Sequence, residues 1–312
     1  MRRLSPGTIG LLLGLLASVL WGTVFVAGRY LVDVRGLAPM YVAALRFNIG
    51  AAAALTYLVA RGRGRSLRLA VREWPLLAAL GAIGIFGMGS GVFMSVRYTS
   101  SVNSSLICNA NPIFIALFAP LIGERVPFVR VLGLLAGVAG CAIIGLGEGD
   151  GLGGGNNHLV GCAFATLAAV SWAAYTVLGK GVANRRGGLE TAAIALVAGG
   201  LLYIPIVAFQ GSARALTGTE LLLAVYIGVG PSAVSMLAWY KALEYVDANI
   251  LGPTQYVATL VSTLLGWWLL NEKLGLLFVL GAAAIVLGLW LATKPSSTRR
   301  PPGPQQADPQ RE

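Results

Sequence analysis

Arg61-Gly62-Arg63-Gly64-Arg65-Ser66-Leu67-Arg68, with Arg72 four residues on, stands between two apolar runs at 38–60 and 74–96. Each run has roughly the 20 residues that a helix needs to cross the hydrocarbon core of a bilayer. A short, arginine-dense linker between two such runs marks a loop retained on the cytoplasmic face. Working outward from it, the chain divides into ten runs of this kind, at 8–31, 38–60, 74–96, 99–121, 129–147, 159–180, 191–210, 220–240, 248–270 and 275–293. Loops after even-numbered runs collect basic residues: Arg125 and Arg130 mark the second, Arg185 and Arg186 the third, while the fourth, Lys241 to Asp247, is nearly neutral. Loops after odd-numbered runs are poor in them, and Glu148 to Asn157 holds two acids and no Lys or Arg. This alternation predicts an all-α integral membrane protein with both termini cytoplasmic.

Composition agrees. Of 312 residues, 56% are hydrophobic and 11% charged, against about 25% charged in a soluble domain. The net charge of +11 is explained by cytoplasmic loops lying near anionic lipid, so no nucleic-acid partner is expected. Cys108, Cys141 and Cys162 all fall inside apolar runs, as buried free thiols do. The Met1-Arg2-Arg3 start leads into a run too long for a secretory signal and reads as the first span. The tail after Lys294 is polar and Pro-rich and reads as disordered. Gly149, Gly151 and Gly154 match G-x-G-x-x-G, but no strand precedes them, so they read as an external linker.

The two halves repeat. Val-Leu-Trp-Gly-Thr-Val-Phe-Val-Ala-Gly-Arg at 19–29 matches Val-Ser-Trp-Ala-Ala-Tyr-Thr-Val-Leu-Gly-Lys at 170–180, so that Trp21, Gly28 and Arg29 align with Trp172, Gly179 and Lys180. Gly123-Glu124 aligns with Asn271-Glu272, and Gly133 and Gly140 with Gly281 and Gly288. Five runs per half is an odd number, so the halves must be inverted relative to each other: 8–147 forms the first repeat, 148–158 the external linker, 159–293 the second repeat and 294–312 the cytoplasmic tail. Inverted repeats are the architecture of secondary transporters, with the substrate site at the repeat interface.

Residues 21–29, Trp-Gly-Thr-Val-Phe-Val-Ala-Gly-Arg, together with Ala44-Leu45-Arg46-Phe47, with Pro112 followed by Gly123-Glu124, and with Asn271-Glu272-Lys273-Leu274, resemble the helix patterns of the EamA family in the drug/metabolite transporter superfamily. The resemblance covers residues 8–293. It implies ten helices in two inverted five-helix repeats, a bacterial inner-membrane location and export of small metabolites, often amino acids. This chain departs from it in the second half: no Arg in the seventh run answers Arg46, and Leu260 stands where Pro112 maps.

Polar side chains inside spans are costly and mark candidate sites. In the fourth run Ser105, Asn109 and Pro112 share a helical face, and Asn111 lies beside them. Pro112 lacks an N–H and frees the Cys108 carbonyl, which beside two Asn amides could take a substrate ammonium group. Helix–helix glue is the alternative. Trp21, Phe25, Trp172 and Tyr175 fall near span centres, where aromatics line a cavity or simply pack, and Gln255 and Tyr256 join this set. Trp239 and Tyr240, near a span end, read as interfacial belt, as do Trp267 and Trp268. Arg46 is expected to face the bundle, bonding freed carbonyls or a substrate carboxylate. Gly87, Gly91, Pro112, Gly228, Pro231 and Pro253 are candidate hinges, Pro231 freeing the Ile227 carbonyl.

Acids fall only at span ends, as with Glu124, Glu244, Asp247 and Glu272, which argues against a mid-membrane proton carrier. Met88 breaks a nucleophile-elbow pattern at Gly89-Ser90-Gly91, and the one histidine, His158, lies at an external loop, so neither an enzyme nor a metal or cofactor site is expected. The reading is an exporter of small organic metabolites, most simply amino acids, working by alternating access as a monomer or weak homodimer. Its rivals are an exporter of drugs or lipophilic cations and a non-transporting scaffold.

Overall fold

A computed structural model describes residues 4–98, 107–147, 158–270 and 275–294. Every regular element among them is helical. Helix α1 (Pro6–Arg29) opens with Pro6 at its start, where a missing N–H costs nothing, and with Ser5 Oγ accepting the Thr8 N–H at 3.2 Å. It runs on through a π-helical turn, Tyr30–Val34. Helix α2 (Pro39–Ala60) likewise opens on proline. A short helix, α3 (Gly64–Val71), occupies the arginine-rich linker. Helices α4 (Trp74–Leu80) and α5 (Met88–Tyr98) are joined by a π-helical stretch, Gly81–Gly87. Helix α6 (Asn111–Phe118) passes into a 3-10 turn, Ala119–Ile122, and α7 (Phe128–Gly147) follows.

The second half repeats this order. It contains α8 (His158–Arg186), then α9 (Gly188–Leu201) running into α10 (Tyr203–Gln210). Helices α11 (Gly218–Gly228) and α12 (Ser235–Leu243) flank a second π-helical stretch, Val229–Val234, at the position matching Gly81–Gly87. Helix α13 (Ala248–Leu251) leads through a 3-10 turn, Gly252–Gln255, into α14 (Tyr256–Leu270), and α15 (Leu276–Thr293) ends the described chain. Among the described residues eight helical runs are long and apolar enough to span a membrane, and Asn111–Ile122 is a shorter apolar helix. Leu135, Leu167, Leu222, Val279, Val286 and Trp290 are exposed on these rods, the pattern of a lipid-facing surface.

Packing displays the repeat directly. Helices α7 and α15 hold equivalent places in the two halves and cross closely. A Cβ at Gly133 would stand 2.7 Å from the Gly288 carbonyl oxygen, and one at Gly140 would stand 2.6 Å from that of Gly281. Gly133 corresponds in sequence to Gly281 and Gly140 to Gly288, so each glycine meets the counterpart of the other. A two-fold axis perpendicular to the helices makes that exchange, because such an interface is self-complementary. A second pair of crossings agrees. Gly50 on α2 lies against the Gly228 carbonyl and Gly199 on α9 against that of Gly81, in each case next to a π-helical stretch.

Two expectations are corrected. Trp239 and Tyr240 are not belt residues; both are 0% exposed, since α12 packs on α1, α8 and α9. Depth along a helix says nothing of the direction a side chain faces. Trp267 and Trp268 are exposed, as a belt requires. Pro112 does not kink a continuous helix: the helix breaks at a turn, Asn109–Ala110, and Pro112 stands in the first turn of α6, where proline is favoured. The Cys108 carbonyl is accordingly not left open, because Asn111 Nδ2 donates to it at 3.0 Å.

Candidate functional site

Trp21 on α1 and Trp172 on α8 are sequence equivalents, and they meet edge to face with ring centroids 5.1 Å apart. Trp239 on α12 closes a triad, 5.2 Å from Trp21 and 6.1 Å from Trp172. Tyr175, one turn beyond Trp172, lies 5.4 Å from it and 5.1 Å from Tyr240. The rings approach because Gly84, in the first π-helical stretch, gives Tyr175 room: a Cβ there would stand 2.1 Å from the tyrosine Cγ. Tyr240 is anchored by donating its hydroxyl to the Tyr175 carbonyl at 2.9 Å.

The polar atoms of this cluster set its chemistry. The indole N–H groups of Trp21, Trp172 and Trp239 and the Tyr175 hydroxyl are buried and have no hydrogen-bond partner among the described residues. An indole nitrogen can only donate. Leaving a buried donor unmet costs about 1–3 kcal/mol, so four of them in one cluster require a physical reason. An acceptor placed among the rings would remove that cost.

Arg46 on α2 is half-buried, its Nε donating to Ser232 Oγ at 3.0 Å, and its guanidinium carbon lies 4.8 Å over the Phe47 ring. Ser232 in turn donates to the Ile227 carbonyl at 2.9 Å. The carbonyl that Pro231 strands is therefore satisfied by a serine hydroxyl, and the arginine bonds that serine instead of the carbonyl. Among the described residues the other guanidinium N–H groups have no hydrogen-bond partner. Phe47 stacks on Tyr203 at 5.7 Å.

The remaining expected residues separate. Asn109 Nδ2 donates to Thr259 Oγ1 at 3.2 Å, joining α14 to the turn before α6. The start of α6 meets the 3-10 turn of the other repeat, where Gly252 faces Pro112. Broken helices from both halves thus touch, and each carries an unmet buried polar atom, Asn111 Oδ1 and Gln255 Nε2. Pro253 is buried in that turn. Tyr256 belongs to another cluster, with Cys141, Ile144 and Ile285, and donates to the Leu134 carbonyl at 3.0 Å. Gly87 and Gly91 face α8. Ser105 lies outside the described residues, as does the Phe25 side chain, though its backbone is in α1.

A polar network that the sequence reading missed joins one end of the bundle across the repeats. Glu124 Oε1 accepts from Lys180 Nζ at 2.6 Å and from the Ala248 N–H at 2.8 Å, and its Oε2 accepts from the Asn249 N–H at 3.1 Å. Lys180 also donates to the Val246 carbonyl at 2.8 Å. Arg130 adds bonds to the Asn249 side chain and, at 3.0 Å, to the Ala292 carbonyl. The signal available was the position of Lys180 and Glu124 at matching span ends.

Comparison with known proteins follows the same two-part division. The model of the EamA-like transporter family matches residues 8–146 and 159–294. The aromatic amino acid exporter YddG of Ancylobacter novellus is 29% identical over 81% of this chain and 86% of its own. A probable terminal-alkyne amino-acid exporter of Streptantibioticus cattleyicolor is 25% identical over 91% of this chain and 93% of its own. A solved crystal structure at 27% identity superposes with a TM-score of 0.81, covering 91% of this chain and 96% of that one.

Proposed function

Because the chain belongs to the EamA-like transporter family, we propose that it exports small organic metabolites bearing a carboxylate, amino acids above all, across the bacterial inner membrane. In this reading ten spans form two inverted five-helix repeats with both termini cytoplasmic, the short rods Asn111–Ile122 and Tyr256–Leu270 completing the eight longer ones. The protein works as a monomer or weak homodimer and needs no cofactor.

The observation that carries the reading is the set of unmet donors, Trp21, Trp172, Trp239 and Tyr175, inside an aromatic cluster shared by both repeats. A carboxylate is the acceptor such donors lack, and ring faces suit an apolar or aromatic side chain. Names of the relatives point to the same substrate class. Alternating access follows from the inverted repeat, each half taking in turn the conformation of the other, with the two π-helical stretches as the places that bend.

A lipophilic cation is the second reading, favoured by the aromatic faces alone. It leaves the donors pointing at a positive charge. Counterflow in proteoliposomes separates the two: amino acids should exchange, aromatic ones fastest, and lipophilic cations should not. Exchange of cations alone would overturn the proposal, and exchange of neither would favour a scaffold.

A further inference from the structure

Helix α3 is too short to span and lies between α2 and α4. Its two sides differ in chemistry. Ser66 donates to Glu190, the third residue of α9, and Leu67 packs against the main core. Arg63, just before the helix, pairs with the same carboxylate at 3.1 Å. That side is fastened to the bundle. On the other side Arg65 and Arg68 follow one another at helical spacing, Arg72 stands in the turn just after the helix, and all three are exposed.

These three arginines have no ion pair or hydrogen bond among the described residues. Arg61, four residues before Arg65, extends the stripe, lying 5.4 Å over the Tyr57 ring. The acids nearby are engaged elsewhere: Glu190 by Arg63 and Ser66, and Glu73 by Arg185 and Arg186. The stripe sits at the ends of two membrane-crossing helices, where phospholipid headgroups lie, and arginine stems are long enough to carry the charge into that layer. We propose that Arg65, Arg68 and Arg72 bind the phosphates of anionic phospholipid, making α3 an interfacial helix that docks the bundle to acidic lipid. Through Ser66 and Arg63 the bound lipid bears on the start of α9. The proposal goes beyond transport and rests only on the chain spanning a membrane.

The test uses the full-length protein in nanodiscs of mixed phosphatidylcholine and phosphatidylglycerol, released and weighed by native mass spectrometry for retained lipid. Wild type should retain phosphatidylglycerol in preference. The variant R65Q/R68Q/R72Q should lose that preference by about fivefold for each arginine removed, while R65K/R68K/R72K should keep it, since the attraction is to charge. Should the glutamine triple fail to insert, the single variants are read instead, each expected to lose about fivefold. A glutamine triple with the wild-type preference would overturn the proposal. So would a wild type with no preference, which would leave the stripe serving orientation during insertion only. Lipid retention is measured without substrate, so its outcome is independent of the transport reading.

Discussion

Arg35 Nε lies 3.1 Å from Glu220 Oε1, and the same contact recurs at the opposite end of the bundle, where Arg186 Nε lies 2.7 Å from Glu73 Oε1. Arg35 and Arg186 stand at the offset that relates Trp21 to Trp172, and Glu73 and Glu220 at the offset that relates Gly81 to Gly228. One ion pair has thus been kept in both copies of the repeat, and each copy ties one half to the other. The pairs differ in support. Glu220 is buried in a capping box with Thr217 and also accepts from Arg214 at 2.9 and 3.0 Å. Among the described residues the Glu73 carboxylate meets only Arg185 and Arg186, both exposed.

Removing these carboxylates should therefore have unequal effects. Glu220→Gln is expected to lower the melting temperature in detergent clearly, and Glu73→Gln only slightly, because exposed ion pairs are screened. The Glu73 carboxyl is held below its usual range, first by its hydrogen bond from Arg186. A depressed folded value means stability that is present above the ordinary carboxylate value of 4.5 and lost as pH falls through the lower folded one. Wild type and Glu73→Gln should differ at pH 7 and converge in acid. A constant difference at every pH would disprove the assignment.

The four unmet donors lead to a second expectation. Trp172→Phe keeps a ring and removes an N–H. If the indole meets a carboxylate, uptake of amino acids should weaken by about tenfold or more, the worth of a hydrogen bond to a charged group, while folded protein in the membrane stays near wild type. Trp21→Phe should behave alike, since the two residues are counterparts. Normal transport by both would make the triad packing only.

Topology can be checked apart from chemistry. In a background lacking Cys108, Cys141 and Cys162, Ala213→Cys should react with an impermeant thiol reagent from outside, and Arg65→Cys should not. The reverse pattern would invert the orientation proposed for both termini.

What could be read in advance follows from the physics of each signal. Span length and loop charge depend on composition along the chain, so the eight long helical rods stand close to eight of the expected runs. The kinship of Trp21 and Trp172 was visible because the repeat leaves a local match. Trp239 was misplaced because its nearness to a span end carries no information about the helices covering it. The Pro112 turn was misplaced because proline suits both a kink and a helix start, and only the preceding turn at Asn109 decides between them. The Glu124–Lys180 contact joins residues from different repeats, and no local pattern encodes it.

That contact supports a fourth prediction. Both groups are nearly buried, and removing one partner of such a pair strands the other, at about 3–5 kcal/mol. Lys180→Met should destabilise the protein by that order in thermal unfolding. Glu124→Gln together with Lys180→Met should recover part of the loss, because the amide oxygen can still accept from the Ala248 N–H and the carboxylate that loses its lysine is then only Asp247, 3.4 Å from Lys180 and less deeply buried than Glu124. A double variant less stable than Lys180→Met would show that the carboxylate serves α13 more than it serves the lysine.

Arg46 gives the last. It sits within a span and costs roughly 2.5–3.5 kcal/mol on insertion scales unless partnered, yet among the described residues only its Nε–H has a hydrogen-bond acceptor, the Ser232 hydroxyl. A structural arginine would use its whole fork; this one keeps donors in reserve. If they serve a passing carboxylate, Arg46→Lys should transport poorly despite its charge, because an ammonium cannot present two parallel N–H groups. Ser232→Ala should weaken transport less, since it loosens the aim of the guanidinium and leaves the donors in place. The readout is counterflow against substrate concentration: Arg46→Lys should raise the half-saturating concentration of amino acids carrying a free carboxylate and leave that of their amides unchanged. Equal effects on acid and amide would assign Arg46 to folding or interfacial anchoring, and wild-type transport by both Arg46→Lys and Arg46→Gln would remove it from the path altogether.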